Sequence, residues 1–463
     1  MKFLLALLVL NIQGKRNIEF VVKDAFTGKR VNAAVKVYKG KRVIDSFDSK
    51  SKFVLSLSSD EEYRLYIKSK GYRPLKFKLL PSARDGLTVT IYLSPYVADS
   101  IFPKSKEKRV IKGYVSDING TMLKNVKVIL KGKGISTVTD SNGIFVFKLP
   151  RKNVKVSHEN IPKDTVLLML PGYKTLVKEI LDIPENLVLK LMMKKGKGQI
   201  FQGEFKSPGS GECGEQVLFQ GPGRRKEKDG SKSVILDPPA VIRVGTDCIG
   251  TDCSGISIMN LETYVSTGLD DEWIASWPVH SLRAGALAYR SYGSWYVNHP
   301  IDTNYDICSN TCCQVWDGSD VYQSAYEAAY STAGILLERY GSYARSEYSA
   351  ENNNCGCGDG YAGDGIYWPC VSDTICSGHS CYGHGRGMCQ WGSSRWAGIG
   401  YTWKWITEHY YNPGNISIAS PMMILSAASN NTNVNPGEAF TIRYEVYSFG
   451  EVPLYNILLG ASI

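Results

Sequence analysis

Short runs in which apolar and polar residues alternate dominate the first two hundred positions of the chain. Five of them lie between residues 17 and 95, separated by turns: IEFVVKD, AAVKVYKG, SKFVLSL, YRLYIKS and LTVTIYL. Alternation with a period of two predicts strands that bury one face and expose the other. We therefore predict a β-sandwich at residues 17–96, called module 1.

The same pattern returns in residues 108–194, as RVIKGYVSD, KNVKVILKG, GIFVFKLP and ENLVLKLMM. The tripeptide GYR at residues 71–73 also returns as GYK at residues 172–174, and such an offset indicates tandem modules. The segments VSDINGTMLKNVKV and TDSNGIF resemble the carboxypeptidase regulatory-like, or transthyretin-like, sandwiches of bacterial surface proteins. The resemblance implies that module 1 and this second sandwich, module 2, are spacers.

The apolar spacing becomes helical in residues 259–273 and 278–298. Apolar or small side chains recur there at helical intervals, as Leu261, Tyr264, Val265 and Leu269 and then as Leu282, Ala286, Tyr289 and Gly293. The spacing predicts two helices, and Pro278 suits the first turn of the second because a first-turn residue needs no N–H partner. We expect the corner between the helices to hold Glu272 at the end of the first.

Three further segments lack a complete fold of their own. Residues 1–16 begin with Lys2 and the apolar run FLLALLVL, which predicts a signal peptide too short to span a bilayer. Residues 195–235 are rich in Gly, Lys, Arg and Ser and predict a flexible linker, whereas residues 421–463 predict a partial β module. The predicted fold class is multidomain: two all-β sandwiches, an α+β domain at residues 236–420 and a short C-terminal β segment.

Charge is unevenly distributed along the chain. Of its 54 Lys and Arg and 44 Asp and Glu, residues 251–463 hold 8 and 20, so the first 250 residues are strongly basic. A basic half attracts polyanions such as wall polymers, anionic lipid surfaces or nucleic acid by charge alone, unless it consists only of solvated strand faces. Because no nucleic-acid-binding motif is present, we expect no nucleic-acid partner.

Cysteine is unusually frequent in the second half. Eleven of the twelve cysteines lie between Cys248 and Cys389. So many thiols are typical of an oxidising compartment, unless they bind metal. Together with the leader, they predict an extracellular, cell-wall location, and no later segment is apolar enough to span a membrane.

Glu272 is the strongest candidate for chemistry. Trp273 and Trp277 flank it, and apolar aromatic surroundings raise the pKa of a carboxyl group toward the range that suits proton donation. The alternative is that Asp270, Asp271 and Glu272 form a solvated acidic turn.

Several motifs around Glu272 resemble, in the same order, the stage II sporulation protein D family, which includes the amidase enhancers. The longest are YVSTGLDDEWIASWP at residues 264–278 and LRAGALAYRSY at 282–292. Shorter ones are PAVIRVG at 239–245, CQVWDG at 313–318, YSA at 348–350 and GHGRGMCQWG at 383–392. The resemblance implies that residues 236–420, called the third domain, act on peptidoglycan glycan strands.

The resemblance also implies roles for single residues. The glutamate aligned with Glu272 is the acid/base of a lytic transglycosylase, and the arginine aligned with Arg290 is needed for activity. We expect Arg290 to bind a muramic carboxylate or to hold Glu272 ionised, unless it is a surface residue. By their places in the shared motifs, Tyr348, His384, Gln390 and Trp391 are expected to line the sugar cleft.

Two other activities stay open. A hydrolase of the usual kind needs a second carboxylate across the glycosidic bond. Asp271 would point about 100° away on a helix, which leaves the distant Asp359 and Asp364. Alternatively, the protein binds glycan without cleaving it and activates a partner, an N-acetylmuramoyl-L-alanine amidase of the cell wall.

A cluster of His299, Cys308, Cys312 and Cys313 suits a structural Zn²⁺ site, because one imidazole and three thiolates complete a tetrahedron. Some members of the resembled family bind zinc with two His and two Cys, and DICSNTCCQV places Cys312 where the second His would be. The alternative is that all the cysteines form disulfides and no metal binds.

Overall fold

The structure of the protein is a computed structural model. It describes residues 15–58, 61–79, 88–96, 101–102, 108–151, 156–157, 160–202, 238–352, 371, 373–380, 382–419, 423–429 and 442–448. Most of the predicted signal peptide, of the predicted linker and of the C-terminal segment lies outside the described residues. Within them, no helix is both long and apolar enough to cross a membrane.

Module 1 is built from two facing sheets. Its described strands are β1 (Lys15–Asp24), β2 (Ala33–Lys39), β3 (Arg42–Lys50), β4 (Lys52–Ser58), β5 (Tyr63–Lys68), β6 (Leu75–Leu79) and β7 (Thr88–Leu93). One sheet has the order β3-β2-β5-β6, and the other contains β4-β1-β7. In β2, Ala33, Val35 and Val37 are buried while Ala34 and Lys36 between them are exposed, as the alternation predicted.

Module 2 repeats the two-sheet arrangement. Its strands are β8 (Lys108–Asp117), β9 (Lys127–Leu130), β10 (Ile135–Val138), β11 (Ile144–Pro150), β12 (Lys163–Met169), β13 (Thr175–Leu181), β14 (Leu187–Met193) and β15 (Gln199–Phe201). The sheets have the orders β10-β9-β12-β13-β15 and β11-β8-β14. Gly113 in β8 leaves room for the ring of Phe145, which would lie 1.9 Å from a Cβ at this position.

The third domain combines helices with short strands. It starts with β16 (Val241–Ile249) and β17 (Asp252–Asn260) and continues through α1 (Leu261–Ser266), α2 (Val279–Asn298), β18 (Ile307–Cys308), β19 (Asp320–Tyr322), α3 (Gln323–Ser331), β20 (Leu336–Arg339), β21 (Ser342–Tyr343), β22 (Tyr348–Ser349), β23 (Met388–Cys389), α4 (Gln390–Gly398), α5 (Trp403–Tyr411) and β24 (Ser417–Ala419). A hairpin of β25 (Met423–Ser429) and β26 (Ile442–Ser448) follows. The predicted multidomain fold class is confirmed.

Helix α2 forms the centre of the third domain. Most of its residues are buried, and it contacts α3, α4 and α5. Gly285 allows this packing, because a Cβ there would lie 2.5 Å from the Trp273 ring. The helix begins directly after Pro278, close to the predicted start.

The first predicted helix is shorter than expected. It ends at Ser266, and a 3₁₀ turn at Leu269–Asp271 follows, so Glu272 follows this turn instead of an α-helix. The break occurs at Gly268, where a Cβ would lie 2.3 Å from the Tyr289 hydroxyl and 2.5 Å from Trp316. The close approach of these rings requires glycine, which interrupts the helical pattern.

Both modules share sheets with the third domain. Strand β17 pairs in parallel with β7 of module 1, with Ile256 beside Val89. Strand β19 pairs antiparallel with β14 of module 2, with Tyr322 beside Leu187. Because sheet hydrogen bonds hold two segments in one register, the modules pack directly on the third domain, whereas the resemblance implied spacers.

Candidate functional site

The carboxyl group of Glu272 is held from two sides of the third domain. Its side chain is buried, with 8% of the residue exposed. One carboxyl oxygen accepts the backbone N–H of Val315 at 2.9 Å, and the other lies 3.3 Å from the side-chain amide nitrogen of Gln390. The same amide donates to the backbone carbonyl of Glu272 at 2.7 Å. Contacts to both oxygens and to the backbone leave the carboxyl little freedom to rotate.

A chain of hydrogen bonds orients Tyr348, which also bonds to Glu272. The Tyr264 hydroxyl donates to the Gln314 side-chain carbonyl at 2.7 Å, and the Gln314 amide donates to the Tyr348 hydroxyl at 2.8 Å. The Tyr348 hydroxyl accepts this bond, so its own proton is free to point at Glu272. Trp273 packs against the Tyr348 ring with centroids 4.7 Å apart.

Burial raises the pKa of Glu272 from its ordinary 4.5 to about 7. The hydrogen bonds from Val315, Gln390 and Tyr348 oppose this rise but do not cancel it. A carboxyl group with a pKa near neutrality exists in both protonation states at pH 7 and can give and take a proton.

The neighbouring aspartates do not form a solvated turn. Asp270 is 3% exposed and accepts the backbone N–H of Tyr322 at 3.0 Å, and Asp271 accepts that of Asp317 at 2.8 Å. Burial raises the pKa of both carboxyl groups well above its ordinary value. The alternative of a solvated acidic turn is therefore wrong.

A lysine from module 2 forms ion pairs in this acidic corner. The ammonium group of Lys178, on β13, lies 2.7 Å from Asp317 and 2.7 Å from Asp320. Its side chain is only 3% exposed. Burial alone would lower the pKa of Lys178, but the two carboxylates raise it and keep the ammonium charged.

Residues 314–322, called the 314–322 segment, connect all these contacts. On one side the segment donates backbone N–H groups to Glu272, Asp271 and Asp270. On the other it pairs with β14 and binds Lys178. The sequence motif CQVWDG marked the segment, but backbone donors leave no signature in side-chain types, so these partners of Glu272 were not predicted.

Arg290 has a different place from those expected of it. It is fully buried and binds both carboxyl oxygens of Glu262, at 2.9 and 2.8 Å. It also donates to the Ala329 carbonyl at 2.9 Å. Its guanidinium thus joins α2 to α1 and α3. Arg290 forms an internal ion pair, and it is neither a ligand of Glu272 nor a surface residue nor exposed to a substrate carboxylate.

Arg290→Lys tests this structural role. Lysine keeps the charge but loses the planar fork, so we expect the free energy of unfolding to fall by roughly 1–3 kcal/mol. Denaturant titration measures this change, and cleavage of glycan is expected to fall only with the folded fraction. Arg283→Lys on the same helix is the matched control. If the variant is as stable as the parent but cleaves glycan more slowly, Arg290 takes part in the reaction and its role is not structural.

The four residues predicted to line a sugar cleft divide into two pairs. Gln390 and Trp391 are 1% and 5% exposed, and Trp391 packs on Trp277 with ring centroids 4.7 Å apart. They are placed to position Glu272 and its surroundings. Tyr348 is partly exposed, and the side chain of His384 is 36% exposed, so these two have surface available for a ligand.

The residues of the predicted zinc site make other bonds. Cys308 and Cys313 form a disulfide, and Cys312 is disulfide-bonded as well. His299 has its ring stacked on Trp295, and its Nδ1 lies 2.9 Å from the Trp295 carbonyl. A sulfur in a disulfide is not a thiolate ligand, so these bonds favour disulfides at Cys308, Cys312 and Cys313, and the zinc site stays a prediction.

The other described cysteines form one more disulfide and a pair of free thiols. Cys248 and Cys253 form a disulfide across the β16–β17 hairpin. Cys376 and Cys389 are free and buried, with their sulfurs 3.8 Å apart, so the alternative in which all the cysteines form disulfides is wrong. The remaining cysteines, Cys213, Cys355, Cys357, Cys370 and Cys381, lie outside the described residues.

Thiol counting separates the two interpretations of the cysteines. We expect Cys308, Cys312 and Cys313 to resist alkylation in unfolded protein until a reductant is added, and Cys376 and Cys389 to react once the protein unfolds. Peptide mass spectrometry measures both. About one equivalent of bound zinc, with Cys308, Cys312 and Cys313 alkylated without reductant, would restore the metal site.

Two groups of side chains have ligand atoms close enough to hold a cation. They are Asp271, Asp317 and Asp320, and Glu351, Cys376 and Cys389. Lys178 supplies the positive charge to the first group. Arg395 supplies it to the second, with two hydrogen bonds to Glu351 and one of 3.1 Å to Cys376. Each group therefore already contains one cation of the protein.

Several solved structures are similar to parts of the chain. The Bacillus anthracis TIE protein is 16% identical over 41% of this chain and 33% of its own, with a TM-score of 0.15. A Streptococcal ancillary pilin is 11% identical over 40% and 64%, with a TM-score of 0.16. The shaft pilin SpaA from Lactobacillus rhamnosus GG is 10% identical over 41% and 96%, with a TM-score of 0.13. The chain spans less than two thirds of the first two, and TM-scores below 0.5 do not establish a shared fold.

A family match covers the segment that contains Glu272. No curated protein matches the chain. Residues 250–338, however, match the family described as Stage II sporulation protein, SpoIID. They include Arg290 and the 314–322 segment, whereas Tyr348 and Gln390 lie beyond them. The part of the third domain that positions Glu272 is therefore similar to the Stage II sporulation proteins, a cell-wall and sporulation family.

Proposed function

We propose that the protein is an exported lytic transglycosylase that cleaves the glycan strands of peptidoglycan with Glu272 as its single acid/base. The observation that carries the proposal is the buried carboxyl group of Glu272, whose pKa burial raises to about 7. It lies within a segment similar to a cell-wall family.

One carboxyl group suffices for the reaction. In the protonated form, Glu272 gives its proton to the glycosidic oxygen, and the bond from that oxygen to the muramic C1 breaks. The carboxylate then takes the proton of the muramic C6 hydroxyl, whose oxygen bonds to C1 and closes the anhydro ring. Glu272 ends protonated as it began, and no water is consumed.

The surroundings of Glu272 favour this reaction over hydrolysis. The two nearest acidic residues in sequence, Asp270 and Asp271, are bound to the backbone of the 314–322 segment and are not placed across a cleft from Glu272. A hydrolase of the usual kind would need such a partner. Asp359 and Asp364 lie outside the described residues.

Product analysis tests the proposal. Purified protein is incubated with intact sacculi and with sacculi stripped of stem peptides by an amidase, and the soluble products are examined by mass spectrometry. Anhydro-muramic ends are expected, and the preferred substrate shows whether stem peptides must be absent. Reducing ends without anhydro products would mean hydrolysis. Uncleaved glycan together with a stimulated amidase would mean an activator.

Module 1 supports a second partner, an anionic wall polymer. On the outer face of its β2-β5-β6 sheet, Lys36 lies beside Tyr66, and Tyr66 lies beside Lys76. A groove of about 450 Å³ on this face is lined by Tyr38, Gly40, Lys41, Arg64, Leu65, Tyr66 and Lys76. We expect salt-sensitive co-sedimentation with a phosphate-rich wall polymer. Binding that is unaffected by salt, or absent, would exclude this partner.

A further inference from the structure

Three rings form a stack where helices α4 and α5 meet. Tyr401, Trp405 and His409 are spaced by four residues, which brings successive side chains together along a helix. The ring centroids of Tyr401 and Trp405 are 4.0 Å apart with their planes tilted by 41°, and those of Trp405 and His409 are 4.8 Å apart with their planes 10° apart. The stack therefore runs along the start and first turns of α5.

Trp396, from α4, packs edge-to-face against Tyr401 and Trp405. Its ring centroid lies 4.9 Å from that of Tyr401 and 5.0 Å from that of Trp405. Its indole N–H donates to the buried carboxylate of Asp373 at 2.8 Å, and Tyr410 also binds Asp373. This anchor fixes the Trp396 ring, so the aromatic surface is rigid before any ligand arrives.

The surface remains open to solvent. Tyr401 is 37% exposed, Ile399 beside it is 62% exposed, and Trp396 and Trp405 are only partly buried. Lys404 and Glu408 provide an exposed polar edge, with 3.9 Å between their charged atoms. A contiguous apolar surface with a polar rim is typical of a binding site. We call Trp396, Ile399, Tyr401 and Trp405 the aromatic platform.

We propose that the aromatic platform binds pyranose rings of a glycan strand at a position separate from Glu272. The face of an aromatic ring is electron-rich and attracts the C–H groups on the flat side of a sugar, while the polar edge can bind its hydroxyls. An exposed tyrosine ring beside anchored apolar rings, with a lysine paired to a glutamate at the edge, fits a sugar better than it fits a polyanion.

The position of the platform connects it to the site. Helix α4 begins at Gln390, which holds Glu272, and Trp396 lies about 9 Å further along the helix axis. A glycan strand of a few sugars spans this distance. The proposal rests on the proposed function only for this connection to Glu272, because binding itself needs no cleavage.

Tyr401→Ala tests the platform, with Glu272→Gln in the background so that glycan is not consumed. We expect affinity for insoluble stripped glycan to fall by about 3- to 10-fold, measured by co-sedimentation, while Tyr401→Phe keeps it because the ring face is retained. The matched control is Tyr340→Asn, which removes a tyrosine that is 63% exposed elsewhere in the third domain, and asparagine tolerates its positive φ of 53°.

The outcomes distinguish this proposal from the proposed function. If Tyr401→Ala binds glycan as tightly as the control and melts at the same temperature, the platform is not a glycan site. If Tyr401→Ala instead abolishes self-association, the platform is an interface between copies, which also overturns the proposal. If the parent protein binds glycan through Tyr401 but releases no anhydro products, the platform stands and the transglycosylase assignment fails.

Discussion

Glu272→Gln is expected to leave a folded protein that cleaves glycan about 10² to 10⁴ times more slowly than the parent. Glutamine keeps the size of the side chain and can still accept the Val315 N–H, but it has no proton to give or take. The measurement is the initial rate of release of anhydro-muropeptides from stripped sacculi. Turnover close to that of the parent would show that Glu272 is not the acid/base of the reaction.

The matched control is Glu327→Gln, an exposed glutamate on α3 of the same domain. It makes the same chemical change without touching the site, so its rate should equal that of the parent. Thermal melting of both variants distinguishes a chemical loss from unfolding.

The raised pKa of Glu272 also predicts how rate and stability depend on pH. The acid must be protonated to start the reaction, so the rate should fall as pH rises through about 7. In the folded protein the pKa of Glu272 lies above its ordinary 4.5, so between pH 4.5 and about 7 the folded state binds more protons than the unfolded state. The contribution of Glu272 to the free energy of unfolding therefore falls as pH rises through this range. Glu272 contributes at most about 1.4 kcal/mol per pH unit to the slope of stability against pH, and Glu272→Gln should lower the slope by that contribution.

Lys178→Met is expected to lower the free energy of unfolding by about 3–5 kcal/mol, because it removes the buried ammonium that pairs with the partly buried Asp317 and Asp320. The same change should loosen the 314–322 segment, whose Val315 N–H holds Glu272. We therefore expect glycan cleavage per folded molecule to fall by roughly tenfold as well. Denaturant titration gives the first quantity, and rates corrected for the folded fraction give the second.

Lys163→Met is the control for this prediction. Lys163 lies on β12, which pairs with β13, and forms a half-exposed ion pair of 2.6 Å with Glu179. Exposed pairs contribute about 0–1 kcal/mol, so this variant should differ little from the parent. If Lys178→Met is as stable and as active as Lys163→Met, module 2 does not support the site.

The strands and the central helix were predictable because their patterns are local. Alternation in residues 33–39 became β2, and the helical spacing of residues 278–298 became α2, since each pattern requires one buried face. Glu272 was predictable for a different reason, its aromatic flanks and the surrounding motifs. The end of the first helix was not, because close packing of Tyr289 and Trp316 against Gly268 ends it.

The partners of the charged and sulfur-bearing residues could not be read from spacing. Arg290 was expected near Glu272 on the strength of a motif, but it pairs with Glu262, which is nearly thirty residues away in the chain. Cys308, Cys312 and Cys313 suit metal or disulfides equally well until the distances between their sulfurs are known. Long-range pairing depends on which surfaces meet, and residue types do not specify that.

The sequence by itself determined the class of each domain and one carboxyl group worth testing, because periodicity reports burial and aromatic neighbours report a low-dielectric surrounding. Only the tertiary structure decided how that carboxyl is held. Backbone N–H groups of the 314–322 segment, the amide of Gln390 and the ammonium of Lys178 come from three distant parts of the chain. Module 2 and the 314–322 segment meet because β14 and β19 share one sheet, a pairing that hydrogen bonds between distant strands create and that neither strand encodes alone.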